Sequence, residues 1–470
     1  MKTARVLMKH ETISFDPNCY NSDSSVGTVI LKMVCQGLLK IDHQGQLAPD
    51  LATSWTASED QRVFTFEIDR NATFHSGRPC DAEIVAWNFK RLFSGTADSL
   101  LATDYAGLES VRATGRHTVE FRFDAPNTPF LRNLAWRTHI IDDCADQPVG
   151  TGPFRLTDWV RNSHMTLETA RGDRRWDEVS IDRVDVRFAA SAEERIEVIE
   201  RGAADVVESV PAGAAASLES RGLLHSEAVP SLQKSALCFN CAAPPFDDPR
   251  MRQAVVHAIN RERLVAATIG PQGRIVDGII PFGEPWACEL EPITYDLQKA
   301  RALMREAGYG EGLTIRGAST NVAPMPKLAQ LVAEDLEVIG IKLETAVYSD
   351  PPWWPYVYLM APWNVAFQGS PARPHIDTYL GREFRTGGAF NAGRYSNPAL
   401  DRIIDEARRT PDPVAQASLY ADAQRIIRQD LPVYILFASN VLVGWRPGVE
   451  GFAPHPMGVL DLTKVRLGEQ

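Results

Sequence analysis

Segments with the two-residue period of a half-buried strand alternate with segments of helical period along almost the whole 470-residue chain. That alternation limits the fold to an α/β architecture. The clearest case runs from Pro49 to Phe93. Phe64, Phe66 and Ile68 alternate with Thr65 and Glu67, so one face of a strand meets a core. Asn71 and Gly77-Arg78-Pro79 punctuate the following loop. Asp81 then suits a helix N-cap, with Val85, Phe89 and Leu92 forming an apolar stripe at i, i+4 and i+7. Residues 29–39 are helix-like, residues 119–123, 165–168 and 184–188 read as further strands, and residues 192–202 read as a charged helix. Asp248-Pro249 opens another helix, Asp as cap and Pro at the first helical position, with Met251, Val255, Ala258 and Ile259 on one face. Asp296 caps a helix that Gly308 stops, and a third stripe, Leu328, Leu331, Val332 and Ile339, ends at Gly340 before an alternating strand.

A length prior of roughly 150 residues per domain gives about three folding units. No window approaches the roughly 18 apolar residues that span a bilayer. A net charge of -11 argues against a nucleic-acid partner, because no basic footprint is left to meet phosphate. Near the N-terminus only Val6-Leu7-Met8 is apolar before Lys9, short of a secretory signal. Two origins fit that start: a processed extracytoplasmic chain given a new Met, or a cytoplasmic chain.

Seven cysteines leave at least one unpaired and imply no disulfide framework. Cys238 and Cys241 have CxxC spacing but lie in an apolar run rather than at a helix start that would stabilise a thiolate, so they read as small packed residues near a strand end. The ten histidines form no HxxxH or HxH pair, which leaves a protein-only zinc site without support. Neither a GxSxG elbow, a P-loop, HExxH nor a dinucleotide fingerprint stands in a suitable setting. The expectation is a binding protein without a cofactor, not an enzyme.

Ligand chemistry is sought where aromatic and arginine residues occur outside regular periodicity. Trp136-Arg137 precedes Asp142-Asp143; an arginine fork beside an indole can hold a carboxylate, and the alternative is pairing of the arginine with one of those aspartates. Trp353, Trp354, Trp363 and Phe367 give the Pro-rich stretch after Pro351 an unusual aromatic density, fit either for a pocket lining or for packing beneath a loop. Arg373 and Arg394 are candidates for an anionic ligand group, although Arg394 stands just before a cap at Asn397-Pro398 and could simply brace that turn.

A set of motifs spread along the chain carries a resemblance. Ile13-Ser14-Phe15-Asp16-Pro17, the Pro49 to Phe93 segment, Gly150-Thr151-Gly152-Pro153-Phe154 with Trp159, Arg175-Trp176, Phe246 to Ala254, Tyr295-Asp296 through Tyr309, and Asn391 to Pro398 follow one another in order. Together they resemble the extracytoplasmic solute-binding proteins of the oligopeptide, dipeptide and nickel type (family 5), the receptor subunits of ABC importers. The motifs read as scaffold: Asp248 and Asp296 as caps, Gly152-Pro153 as a turn, Trp55 and Trp87 as core or interdomain packing.

The resemblance implies a two-lobed α/β fold of the periplasmic-binding-protein kind (type II, cluster C). Residues 1–22, 150–234 and 440–470 are expected to form the first lobe, 23–149 a subdomain inserted in it, and 235–439 the second lobe. It also implies a monomer that binds a small-molecule or peptide-like ligand between lobes closing by hinge motion, works with an ABC permease, and resides in the periplasm or another extracytoplasmic space. Tyr20 joins Trp136, Arg137, Trp353, Trp354, Trp363, Phe367, Arg373 and Arg394 as expected ligand contacts. Peptide-binding members place an acidic residue ahead of the AsnxxxTyr motif to meet the peptide's amino group. The matching stretch, Ala366 to Arg373, contains none, which points to a ligand with an exposed carboxylate or phosphate; Asp377 follows shortly after, and a shifted alignment would supply the acid. Peptide, metal chelate, opine and sugar conjugate all fit as ligands. The alternative is a cytoplasmic sensor built on the same binding fold.

Overall fold

The computed structural model describes residues 1–11, 25–93, 104–142, 149–161, 163–280, 286–349, 355–360, 362–370, 373, 375–455 and 457–468. The chain divides into two compact units, Met1–Ser231 with Val441–Gln470, and Leu232–Asn440.

The first unit contains, in chain order, β1 (Thr3–Met8), α1 (Ser25–Val34), β2 (Leu39–Ile41), β3 (Leu47–Pro49), β4 (Ala52–Ala57), β5 (Val63–Ile68), α2 (Ala82–Phe93), β6 (Leu108–Gly115), β7 (Thr118–Phe123), α3 (Phe130–Arg137), β8 (Phe154–Val160), β9 (His164–Thr169), β10 (Arg183–Phe188), α4 (Ala192–Glu200), β11 (Val206–Val207) and α5 (Ala212–Ser220). β12 (His225–Phe239) then carries the chain into the second unit. β1 lies between β10 and β11, parallel to both, and β10, β9 and β8 continue antiparallel. Val6, Val184, Val186, Met165 and Leu167 fill one core on this sheet.

A separate antiparallel sheet, in the order β4-β5-β7-β6, holds the strand read from Phe64, Phe66 and Ile68. All three side chains are buried, and Phe66 and Phe89 meet Phe121 with ring centroids 5.4 and 4.6 Å apart in edge-on geometry. Edge-to-face contact adds about 0.5–1.5 kcal/mol per pair to the area term. Asp81 caps α2 by accepting the Ile84 N–H at 3.2 Å. Trp55 packs partly buried against this core, whereas Trp87 is 37% exposed, its ring 5.2 Å from the Arg91 guanidinium. Trp87 is therefore a surface residue rather than a core one.

Gly150 and Gly152 are required by close approach. A Cβ on Gly150 would stand 2.1 Å from the Val34 carbonyl oxygen, and one on Gly152 2.7 Å from the same residue's backbone. With no side chain in the way, the Gly152 N–H donates to that carbonyl at 2.9 Å and ties residues 150–152 to the end of α1.

The second unit contains α6 (Pro249–Ala258), α7 (Arg261–Thr268), β13 (Gly273–Arg274), α8 (Leu297–Glu306), β14 (Leu313–Thr320), α9 (Met325–Glu337), β15 (Ile341–Tyr348), β16 (Val365–Ser370), α10 (Ile376–Tyr379), α11 (Pro398–Arg409) and α12 (Pro413–Asp430), before β17 (Val433–Trp445) returns the chain to the first unit. β14 pairs parallel with β15 and β16, and β16 pairs antiparallel with β12. Asp248 and Asp296 cap α6 and α8 through the Arg250 and Lys299 N–H groups, as the sequence predicts. Leu328, Leu331 and Val332 of α9 bury against Ile315 and Ile341 in the main core of this unit.

Candidate functional site

β12 and β16 set the site by strand parity. Their register places Lys234 opposite Ser370 and Ala236 opposite Gln368, while Leu237 faces Phe367 and Phe239 faces Val365. Successive side chains point to opposite faces. Leu237, Phe239, Val365 and Phe367 accordingly enter the apolar core, and Lys234, Gln368 and Ser370 share the other face.

On that polar face, Arg373 is 1% exposed. Its Nε and Nη2 each donate to Glu383 Oε1 at 3.2 Å, and the same oxygen accepts the Ser370 hydroxyl at 2.8 Å. Tyr379 accepts the Arg373 backbone N–H at 3.1 Å, and the Lys234 ammonium lies 3.6 Å from the Tyr379 ring centroid. Phe390 supplies a further aromatic face, 5.1 Å from the Arg373 guanidinium. Tyr358 donates to Gln368 Oε1 at 3.0 Å. Burial pushes the Lys234 ammonium down to about 7; Glu383 opposes that shift and Arg373 adds to it. Among the described residues, Arg373 Nη1 is buried and has no hydrogen-bond partner. An unsatisfied buried donor costs about 1–3 kcal/mol, more when charged, and an acceptor brought by a ligand removes that cost.

The residues singled out from sequence fall in different places. Arg373 is at the centre of this cluster. Phe367 is not a pocket lining but a core side chain, because parity sends it to the opposite face from Lys234. Trp363 is 2% exposed, donates its indole N–H to the Val357 carbonyl at 3.2 Å and packs in a small apolar cluster with Cys238 and Ala366, which share the Lys234 face. Arg394 is exposed, with φ of 52°, and its guanidinium donates to the Leu359 carbonyl at 3.2 Å, so it ties its loop to the 355–360 segment rather than bracing the Asn397-Pro398 turn. Trp136 belongs to the first unit and lies on the last turn of α3 rather than in a loop. Arg137 ends that helix, and its side chain, like Tyr20, Trp353 and Trp354, lies outside the described residues. Asp142, weighed as a partner for Arg137, accepts from Arg78 and Ser76 at 2.8 Å each.

Two further residues refine the question of the missing acid. Asp377 is taken by Arg408 at 2.8 Å, and the carboxylate beside Arg373 is Glu383. Sequence reasoning missed Lys234, Gln368 and Glu383. The available signal was a lone lysine on the small-residue face of the 234–239 alternation. Cys238 is buried near the end of β12 and Cys241 is half-buried; both are free thiols, and burial pushes Cys241 up to about 11, which suits packing rather than redox chemistry. Among the described residues no group of three or more His, Cys, Asp or Glu could hold a metal ion.

Comparison with known proteins places this arrangement. Residues 46–380 match the model of the bacterial extracellular solute-binding proteins, family 5 Middle. The glutathione-binding protein GsiB of Shigella dysenteriae serotype 1 is 27% identical over 468 residues, covering 93% of this chain and 89% of GsiB. Among solved structures, the periplasmic binding protein DppA of Helicobacter pylori, in complex with the peptide STSA, superposes with a TM-score of 0.90 at 23% identity over 99% of this chain and 98% of DppA. The binding protein AgaA of A. tumefaciens R10, in complex with agropinic acid, gives 0.89 at 21% identity over 100% and 99% of the two chains. With a family model covering more than half of its length, the chain belongs to the family 5 bacterial extracellular solute-binding proteins.

Proposed function

We propose that the chain is the substrate-binding receptor of an ABC importer, acting outside the cytoplasm with a membrane permease, and that its ligand carries an anionic group held by Arg373 and Lys234. The observation that carries the ligand class is Arg373 Nη1, a buried guanidinium donor without an acceptor among the described residues. A carboxylate or phosphate oxygen there gains a charge-assisted hydrogen bond at a site already dry. Lys234 adds a second cation whose protonation the arriving anion favours. Relatives in this family bind, by name, glutathione, a peptide and agropinic acid. All three ligand types carry carboxylates, which agrees with the chemistry of Arg373.

In this reading the lobes are 1–22, 150–234 and 440–470, with 23–149 inserted, and 235–439. They close on the ligand by hinge motion about the two chain crossings, near residues 231–239 and 437–441. Native mass spectrometry of the purified chain identifies the copurified ligand. Calorimetry then compares wild type with Arg373→Met. The expected result is an affinity loss of at least about tenfold for the anionic ligand. Equal affinity in the two proteins removes Arg373 from the site.

A further inference from the structure

A partly open cavity is lined by residues of the first unit. It has a volume of about 390 Å³ and is walled by the last turn of α1, the β2–β3 hairpin, the end of α3 and the C-terminal segment around residues 455–464. A single water takes up about 30 Å³, whereas small-molecule pockets occupy roughly 300–1,000 Å³. Trp136, Phe154 and Trp176 contribute to the apolar part of its lining.

Lys32 and Asp50 stand in the same wall, and Lys40, Asp42, Asp461 and Lys464 also line the cavity. Lys32 Nζ donates to the Ala135 carbonyl at 3.1 Å and lies 5.7 Å from the Trp136 ring centroid. An ammonium has three donors, and this carbonyl occupies one of them. Asp50 accepts the Gln36 side-chain N–H at 2.8 Å and the Gly37 backbone N–H at 3.0 Å. Gln36 cannot turn away, because its carbonyl oxygen accepts Thr151 Oγ1 at 3.0 Å and Arg175 Nη1 at 2.7 Å. The carboxylate is thus held in place with acceptor capacity to spare. Burial pushes Lys32 down to about 8 and raises Asp50, so each group has lost solvation that its neighbours only partly return. His455, also in the wall, is fixed as the neutral ring: Nε2 donates to the Ile41 carbonyl at 3.0 Å and Nδ1 accepts the Met457 N–H at 3.1 Å.

We propose that this cavity is a second ligand site, for a small zwitterion with an apolar or aromatic side group, its carboxylate on Lys32, its ammonium on Asp50 and its side group against Trp136 and Trp176. Lys32 and Lys40 favour an anionic group at this wall and Asp50 a cationic one, so a ligand bearing a single charge meets a like charge there. A molecule carrying both charges can set each against its opposite. This site is separate from the Arg373 cluster, whose residues all belong to the other unit.

The test is calorimetry on the full chain with three probes: L-phenylalanine, phenylacetate, which lacks the ammonium, and phenethylamine, which lacks the carboxylate. Phenylalanine is expected to bind, and each analogue to bind about tenfold more weakly or worse. Lys32→Met and Asp50→Asn are expected to weaken phenylalanine by about the same factor, while Arg373→Met leaves it unchanged. The analogue series needs no variant, so it stands even where Lys32→Met disturbs the Ala135 contact. No binding of phenylalanine at millimolar concentration overturns the proposal, since the cavity then holds water alone. Equal binding of all three probes, or loss of phenylalanine binding in Arg373→Met with retention in Lys32→Met, also overturns it.

Discussion

Replacing Lys234 by Met is expected to stabilise the second unit while weakening the ligand. The ammonium has an ordinary value of 10.5 and is held at about 7 by burial, with Glu383 opposing and Arg373 assisting. Between those two values the unfolded chain binds a proton that the folded chain does not, so stability rises as pH rises from about 7 towards 10.5. At about 1.4 kcal/mol per pH unit, the lysine costs the folded state about 4 kcal/mol at pH 7. Methionine removes that cost and keeps an unbranched side chain of similar length. It also loses the contact with the Tyr379 ring, worth about 1–2 kcal/mol when desolvated. The net gain at pH 7 is on the order of 2 kcal/mol. Urea titration of both proteins at pH 7 and pH 10 reads it directly as a shift in midpoint. The advantage of the variant should shrink or reverse at pH 10, where the wild-type lysine is largely neutral in the folded state. A variant less stable than wild type at pH 7, or an advantage that does not change with pH, would mean that Lys234 is charged and fully compensated, and the reasoning would fail.

Other expectations follow from the same contacts. Phe367→Ala should destabilise the second unit by about 3–5 kcal/mol, seen by denaturant titration, and leave ligand affinity in the folded protein unchanged, because that ring serves the core. Gly150→Ala should lower the melting temperature of the first unit, at a cost of about 1–3 kcal/mol, since its Cβ meets the Val34 backbone carbonyl rather than a movable side chain. Asp205 is buried and bonded to Arg5 at 2.7 Å and Arg446 at 2.9 Å; burial pushes its carboxyl up, and the arginine hydrogen bonds outweigh that and hold it low. Its contribution is complete above the unfolded value of about 3.9 and is lost as pH falls through the folded one. Asp205→Asn should therefore flatten the acid limb of the stability profile below about pH 4, as measured by circular dichroism.

Much of the scaffold was legible because its signals are local. Asp81, Asp248 and Asp296 cap the helices their positions predict, and the alternation of Phe64, Phe66 and Ile68 translates directly into burial. The glycines of residues 150–152 read as a turn, while their closer purpose, contact with the α1 backbone, needs a neighbour more than a hundred residues away. The candidate site was harder for the same reason. Arg373 stood out as a charge in a region without periodicity, but its partner Glu383 lies ten residues on and Lys234 well over a hundred residues before it. The aromatic ring of Phe367 suggested a pocket lining and stands in the core, because composition carries no information on which face of a strand a ring occupies.

The second unit is one unbroken stretch of chain, Leu232–Asn440, set into a first unit that is made of two pieces. This bears on the order in which a growing chain can fold. By residue 440 every helix of the second unit and its share of β17 have been synthesised, while β11 still lacks its antiparallel neighbour, since Val206 pairs with Trp445. The first unit's core also waits for Val443, Val449, Phe452, Leu460, Leu462 and Val465. At synthesis rates of about 5–20 residues per second, the final stretch, Val441–Gln470, arrives over a few seconds. A chain cut short at residue 440 would hold a complete second unit beside an open apolar face on the first, and chaperones or proteases could recognise it by that face alone.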